Sequence, residues 1–231
     1  MKKLRGLDFS IYVRALPVLA RNPALLLAPF FMAVIGVLVQ LPYRHAQDPV
    51  SQITGGLASL IVFLLQCFGL GVSLIIADTA WRRRGTASFD DAWVEARRKA
   101  GDILMAALGF NFVVFVAAQI GSFLFAPLGL VLGALALYFF AYTIPAAAIG
   151  GIPGGAALQV SIERVQRSYV PTAILVIVSL LVYGFVGWYA PYAFIPNFGL
   201  VSSIIAAFFQ ALALSYVACI LSAIYADVSY R

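Results

Sequence analysis

A chain of 231 residues that is 63% hydrophobic, only 10% charged and of mean hydropathy +1.00 is not a soluble globular domain. Such domains carry about 45–50% apolar and about 25% charged residues. The formal charge of +6 reads as a topology signal, not as a nucleic-acid signal, because fourteen of the fifteen Lys and Arg residues fall on one side of the apolar stretches. Positive charge is retained on the cytoplasmic side, which predicts a multi-pass membrane protein with both termini cytoplasmic. Only Arg44, beside Asp48, falls at a midpoint turn.

The opening Lys2-Lys3-Leu4-Arg5 looks like a signal n-region. Arg14 and Arg21 interrupt any apolar core, and no small-x-small cleavage pattern follows, so the segment reads as retained. Residues 8–21 form an amphipathic segment with a kink at Pro17. The first span is expected from Pro23 to Tyr43. An outer loop from Arg44 to Gln52 carries His45, the one histidine. The second span runs from Ile53 to Thr79. Trp81 follows as an interfacial anchor, with Arg82, Arg83 and Arg84 as a cytoplasmic stop.

A cytoplasmic helix follows, with Ser88 as N-cap, Asp90 and Asp91 in the first turn and Arg97, Arg98 and Lys99 in the last, each where the helix dipole favours it. Gly101 is the expected C-terminal break. The third and fourth spans are Ile103–Phe125 and Leu128–Ile149, joined at Ala126-Pro127. Glycines and Pro153 over 150–155 make a flexible break before an amphipathic helix from Ala156 to Ser168. The fifth span is Tyr169–Tyr189, the outer loop Ala190–Gly199, and the sixth span Leu200–Ala226.

The layout is all-α: six transmembrane helices in three hairpins, each hairpin preceded by a cytoplasmic amphipathic helix, in one integral membrane domain. The pseudo-repeats are about 7–85, 86–153 and 154–231. Each amphipathic segment carries an apolar stripe at i, i+4, i+7, i+11. The stripes are Phe9, Val13, Leu16, Ala20; then Phe89, Trp93, Ala96, Ala100; then Leu158, Ile162, Val165, Tyr169. Glu95 precedes Lys99 and Glu163 precedes Arg167 in the favourable i, i+4 order. The ending Ser73–Asp78 matches Ser222–Asp227 at four positions, with Asp78 and Asp227 at equivalent span ends.

Ile144-Pro145-Ala146-Ala147-Ala148-Ile149-Gly150-Gly151, then Ala156-Ala157-Leu158 and Ser161 with Arg164 and Arg167, resembles a group of bacterial six-span inner-membrane proteins. The group includes the membrane domain attached to some glycerophosphodiester phosphodiesterases. Arg21-Asn22-Pro23-Ala24-Leu25-Leu26-Leu27 after an amphipathic segment is similar to it as well. The resemblance implies the six-span fold and a membrane location. The acid usual after the Gly turn is absent, Gly151-Ile152-Pro153 standing there. No phosphodiesterase domain is attached, so no activity is implied.

Little in the chain points to catalysis. His45 has no Cys or His partner for a metal. Cys67 and Cys219 lie in spans without metal spacing. The paired glycines lack the Lys of a phosphate loop. No enzymatic activity, cofactor or metal site is therefore expected, and no nucleic-acid partner. Within spans the notable polar residues are Gln66, Asn111, Gln119 and Gln210. Uncharged amides there act as interhelical glue or line a polar path. Ionisable groups are absent from span centres, which disfavours proton coupling. Gly129 and Gly133 have small-xxx-small spacing, suited to helix packing or dimerisation. Arg82, Arg83, Arg84, Arg97, Arg98, Lys99, Arg164 and Arg167 are candidate contacts for anionic lipid headgroups, and the same residues follow from positive-inside topology alone.

The leading expectation is a non-enzymatic inner-membrane protein, an envelope-related scaffold or lipid-interacting module. Its partners would be the bilayer, anionic lipid headgroups, and a membrane protein or a second copy. The rival is a transporter or channel for a small solute or lipid, which needs Gln66, Asn111, Gln119 and Gln210 to converge on one cavity.

Overall fold

The computed structural model describes residues 8–43, 48–83, 86–194 and 199–229. Lys2, Lys3, Arg5, Arg44, His45, Arg84 and Arg231 lie outside them. The described residues contain no strand, and six helical segments are long and apolar enough to cross a membrane: Ala24–Tyr43, Pro49–Arg82, Ala100–Leu124, Ala126–Ala148, Tyr169–Tyr189 and Leu200–Asp227. In order the helices are α1 (Ser10–Arg21), α2 (Ala24–Gln40), α3 (Pro49–Arg83), α4 (Phe89–Arg98), α5 (Ala100–Leu124) and α6 (Ala126–Phe139). They continue as α7 (Thr143–Ala148), α8 (Gly154–Arg167), α9 (Tyr169–Val182, prolonged by a π-helical stretch Tyr183–Tyr189), α10 (Ala190–Phe194) and α11 (Leu200–Ser229).

The centre of the fold is the packing of α2, α3 and α11 on one another. Pro29 lies inside α2 and has no N–H to give the carbonyl of Leu25, one turn earlier. Two fully buried serines replace that donor. Ser73 Oγ of α3 and Ser215 Oγ of α11 each donate to the Leu25 carbonyl at 2.8 Å. The proline thus creates an acceptor that ties three helices together.

α5 and α6 turn back on each other at Phe125, whose extended backbone separates them. Their glycines face inward. A Cβ at Gly129 would fall 2.7 Å from the Ala118 carbonyl, and one at Gly121 2.7 Å from Gly129 Cα. The Gly129–Gly133 spacing therefore serves packing within this chain. Elsewhere α5 presents apolar residues outward, with only 17% of its most apolar window buried.

One end of the bundle is laced by contacts between distant segments. Trp81 Nε1 donates to the Cys219 carbonyl, and Ala87 N–H to Asn22 Oδ1, both at 3.0 Å. Lys99 Nζ donates to Glu95 at 2.7 Å and to the Ala148 carbonyl at 2.9 Å. Gly154 N–H donates to Asp102 Oδ1 at 3.2 Å, giving α8 an N-terminal acceptor from α5. This end gathers the described basic residues of α1, α3, α4 and α8.

Several local expectations hold. Ser88 caps α4, accepting from the Asp91 N–H at 3.4 Å, and Asp90, Asp91, Arg97 and Arg98 occupy the expected turns. Asp78 pairs with Arg82 at 2.8 Å. Others are corrected. Gly101 does not end α4; the break falls at Lys99, and Gly101 lies inside α5. Glu163 accepts from Gln159 at 3.0 Å. Ser73 and Ser222, matched in sequence, play different parts: Ser73 holds Leu25, whereas Ser222 Oγ is buried without a partner.

One correction is larger, and one feature is new with the structure. The stripe Phe9, Val13, Leu16 at α1 points away from the protein, with 62, 69 and 56% of each residue exposed. α1 packs through Ile11, Tyr12, Ala15 and Leu19 instead. The fourth span is also not continuous. The helix opens over Phe140–Tyr142, just ahead of Pro145. Ser161 of α8 satisfies the opened backbone, accepting from the Tyr142 N–H at 3.0 Å and donating to the Phe139 carbonyl at 2.9 Å. Tyr142, fully buried, reaches Thr172 through its hydroxyl at 3.0 Å. Irregular backbone at membrane depth is tolerated where it is buried in protein like this.

Candidate functional site: a split cavity between the spans

Two adjoining chambers lie among the spans. The first, about 260 Å³, is lined chiefly by polar surface from α2, α3, the π-helical stretch and α11: Gln40, Ser59, Gln66, Trp188, Ser203 and Gln210. The second, about 330 Å³, is almost wholly apolar and open on one side, with walls from α3, α5, the α6–α7 break, α9 and α11. Phe63, Gln66 and Tyr183 line both, so the chambers meet at these three side chains.

The local sequence explains how each wall is placed. Gly36 lets α2 approach α3 closely, since a Cβ there would fall 2.7 Å from Val62 Cγ1. Gln40 lies one turn beyond Gly36, and Gln66 one turn beyond Val62. On α11, Ala206 and Ala207 are small and buried, leaving room below Ser203 and above Gln210. The π-helical turn carries Gly184 and Gly187; a Cβ on the latter would come within 3.6 Å of Ala213 and Gln210. π-Helical turns recur at functional sites because they re-aim side chains that a regular helix would turn elsewhere. Here the turn brings Tyr183 and Trp188 to one chamber.

The polar groups fall into two classes. Ser59 and Ser203 return their hydroxyls to their own helices, donating to the Gly55 and Gly199 carbonyls at 2.9 and 3.1 Å. The side-chain amides of Gln40, Gln66 and Gln210 make no hydrogen bond to the described residues. Each offers two N–H donors and a carbonyl acceptor. All three residues are half-buried, so water or a ligand within the cavity can meet their amides; left dry and unpaired, each would cost about 1–3 kcal/mol.

Of the four span amides singled out in the sequence, the fold brings two together. Gln66 and Gln210 face the same chamber. Asn111 and Gln119 stand on α5 away from it, and Gln119 is exposed on the outer surface. α5 contributes Phe110 to the apolar chamber instead. Gln40 ends a span, where polar residues are unremarkable in the sequence. Its spacing of four from Gly36 is the one local hint. The π-helical turn has no sequence signal beyond its two glycines.

The candidate lipid-contact cations also divide. Arg97, Arg98 and Arg167 are exposed. Arg82 is engaged with Asp78 and Lys99 with Glu95. Arg164 is turned into the protein: its guanidinium lies 3.6 Å over the Tyr225 ring and donates to the Tyr225 carbonyl at 3.2 Å, near the end of α11. Burial there pulls its pKa below the ordinary arginine value. Backbone α3 includes Arg83, and Arg84 lies outside the described residues. Among the described residues no three His, Cys, Asp or Glu side chains group as a metal site.

The class that fold and cavity define is an all-α protein with six helices of membrane-crossing length and a divided cavity between them. Comparison of the chain with known protein families, with curated proteins and with solved structures finds no match.

Proposed function

We propose that the protein is a non-enzymatic lipid-interacting module of the bacterial plasma membrane, which holds a lipid-like amphiphile within its bundle. Its spans form three hairpins, each preceded by an amphipathic helix (α1, α4, α8) on the cytoplasmic face, where both termini lie. The clustering of basic residues at one end supports that orientation. The outward apolar stripe of α1, beside Arg14 and Arg21, supports its placement in the headgroup boundary, and Arg97, Arg98 and Arg167 are free to meet anionic headgroups. The resemblance of Ile144–Ser161 to bacterial six-span proteins agrees with this reading.

The observation that carries the proposal is the joining of a polar and an apolar chamber at Gln66, with Gln40, Gln66 and Gln210 unpartnered. A small polar solute would leave the apolar chamber unused, and a pathway through all four span amides is not assembled. An amphiphile fills both chambers.

Native mass spectrometry of the gently extracted protein tests this. One retained adduct of lipid mass is expected on the wild type and its loss on Gln66→Leu with Gln210→Leu. A wild type carrying no stoichiometric adduct, or an adduct indifferent to both substitutions, refutes it.

A further inference from the structure

Resting on that reading, we infer that the ligand is a neutral lipid: its uncharged head, bearing hydroxyl or carbonyl groups, occupies the polar chamber, and its chain enters the apolar one. Three observations lead here. The first is charge. No Asp, Glu, Lys, Arg or His lines either chamber among the described residues. A phosphate or ammonium head would be buried there without a counter-charge, which is far costlier than burying a neutral polar group. Primary amides instead suit hydroxyl and carbonyl groups, giving and accepting hydrogen bonds without charge.

The second is depth. Gln40, Ser59 and Ser203 lie toward the span ends opposite the basic residues. Gln66 and Gln210 are each seven residues further along α3 and α11 than Ser59 and Ser203, about 10 Å deeper at 1.5 Å per residue. The apolar chamber continues inward from there, past Cys67 and Leu70 to Leu221 and the α6–α7 break. Polarity therefore falls with depth, as it does along a lipid of the outer leaflet. The third is access. The apolar chamber is open on one side, and its lining includes Leu180, half-exposed on α9. A chain can reach it from the bilayer sideways.

The test uses the purified, delipidated full chain in mild detergent and a dioleoylglycerol probe carrying a photoreactive diazirine in its acyl chain. Labelling is expected on residues of the apolar chamber such as Val176, Leu214 and Val217. Unlabelled dioleoylglycerol should compete at a concentration at least about tenfold below that of dioleoylphosphatidylglycerol or dioleoylphosphatidylethanolamine, whose charged heads would enter the polar chamber without a counter-charge. Because this comparison uses wild-type protein, misfolding of a variant cannot blur it. Val217→Phe, which fills the apolar chamber with another apolar side chain, should abolish labelling at Val176 and Leu214. Equal or better competition by either phospholipid overturns the neutral-head inference while leaving a lipid site in place. Labelling confined to the outer faces of α5 and α6, or none at all, removes the lipid reading itself and leaves a water-filled chamber.

Discussion

The helices α2, α3 and α11 carry two sets of polar groups that behave in opposite ways. At the Leu25 carbonyl, an acceptor freed by Pro29 is met by two fully buried serines from two other helices. Farther along the same three helices, Gln40, Gln66 and Gln210 converge and make no bond to the described residues. The first set is closed and holds the fold. The second is open and waits on a partner. Sequence polarity alone does not separate the two, since both consist of uncharged side chains in apolar runs; what separates them is whether the neighbouring helix supplies a complementary group.

The sharpest way to break this contrast is to attack the closed set. Ser73→Ala with Ser215→Ala strands the Leu25 carbonyl and should destabilise the protein by about 1–3 kcal/mol, read as the midpoint of unfolding in mixed micelles, with the retained lipid adduct unchanged. Either substitution alone leaves one donor and should cost nearer the average interhelical value of about 0.6 kcal/mol. Pro29→Ala sharpens the argument. It returns an intrahelical N–H to Leu25, so in that background the double serine substitution should cost measurably less.

Attacking the open set should do the reverse. Gln66→Leu or Gln210→Leu should weaken lipid retention about tenfold, equivalent to about 1.4 kcal/mol, while stability of the lipid-free protein stays level or rises because an unpaired amide is gone. A loss of stability with retention intact would make these amides structural.

A smaller effect concerns pH. Burial, with Tyr142 and Tyr216 nearby, pushes the Tyr12 hydroxyl of α1 up to about 12 from 10.0. The unfolded chain then loses this proton first, so stability should fall as pH rises from about 10 toward 12 and be indifferent to Tyr12 below that. Tyr12→Phe should flatten that limb in an alkaline unfolding series. Retention of a neutral lipid, by contrast, should not vary between about pH 5 and 8, the range in which histidine titrates. The smallest expected effect is none: Asn111→Leu and Gln119→Leu, on α5 away from the chambers, should leave retention unchanged in the native mass spectrum.

Much of the fold was legible in the sequence because membrane helices announce themselves by length and hydropathy. The Ser88 cap and the Glu95–Lys99 pair were legible because they depend on neighbours within one helix. The failures share a cause. The inward turn of Arg164 depends on which face a second helix covers. The opening at Phe140–Tyr142 depends on Ser161, twenty residues away, to satisfy its backbone. The candidate site was half legible: Gln66 and Gln210 stood out as amides in apolar runs, but so did Asn111 and Gln119. Gly129 and Gly133 likewise gave no sign that their partner was α5 of the same chain.

The most direct test of the account is an experimental density map of the protein in lipid nanodiscs made from its own membrane. The account predicts continuous elongated density running from the apolar chamber past Phe63 and Tyr183, ending within hydrogen-bonding distance of Gln66 and Gln210. Isolated water-sized peaks in the polar chamber above an empty or collapsed apolar one would contradict it.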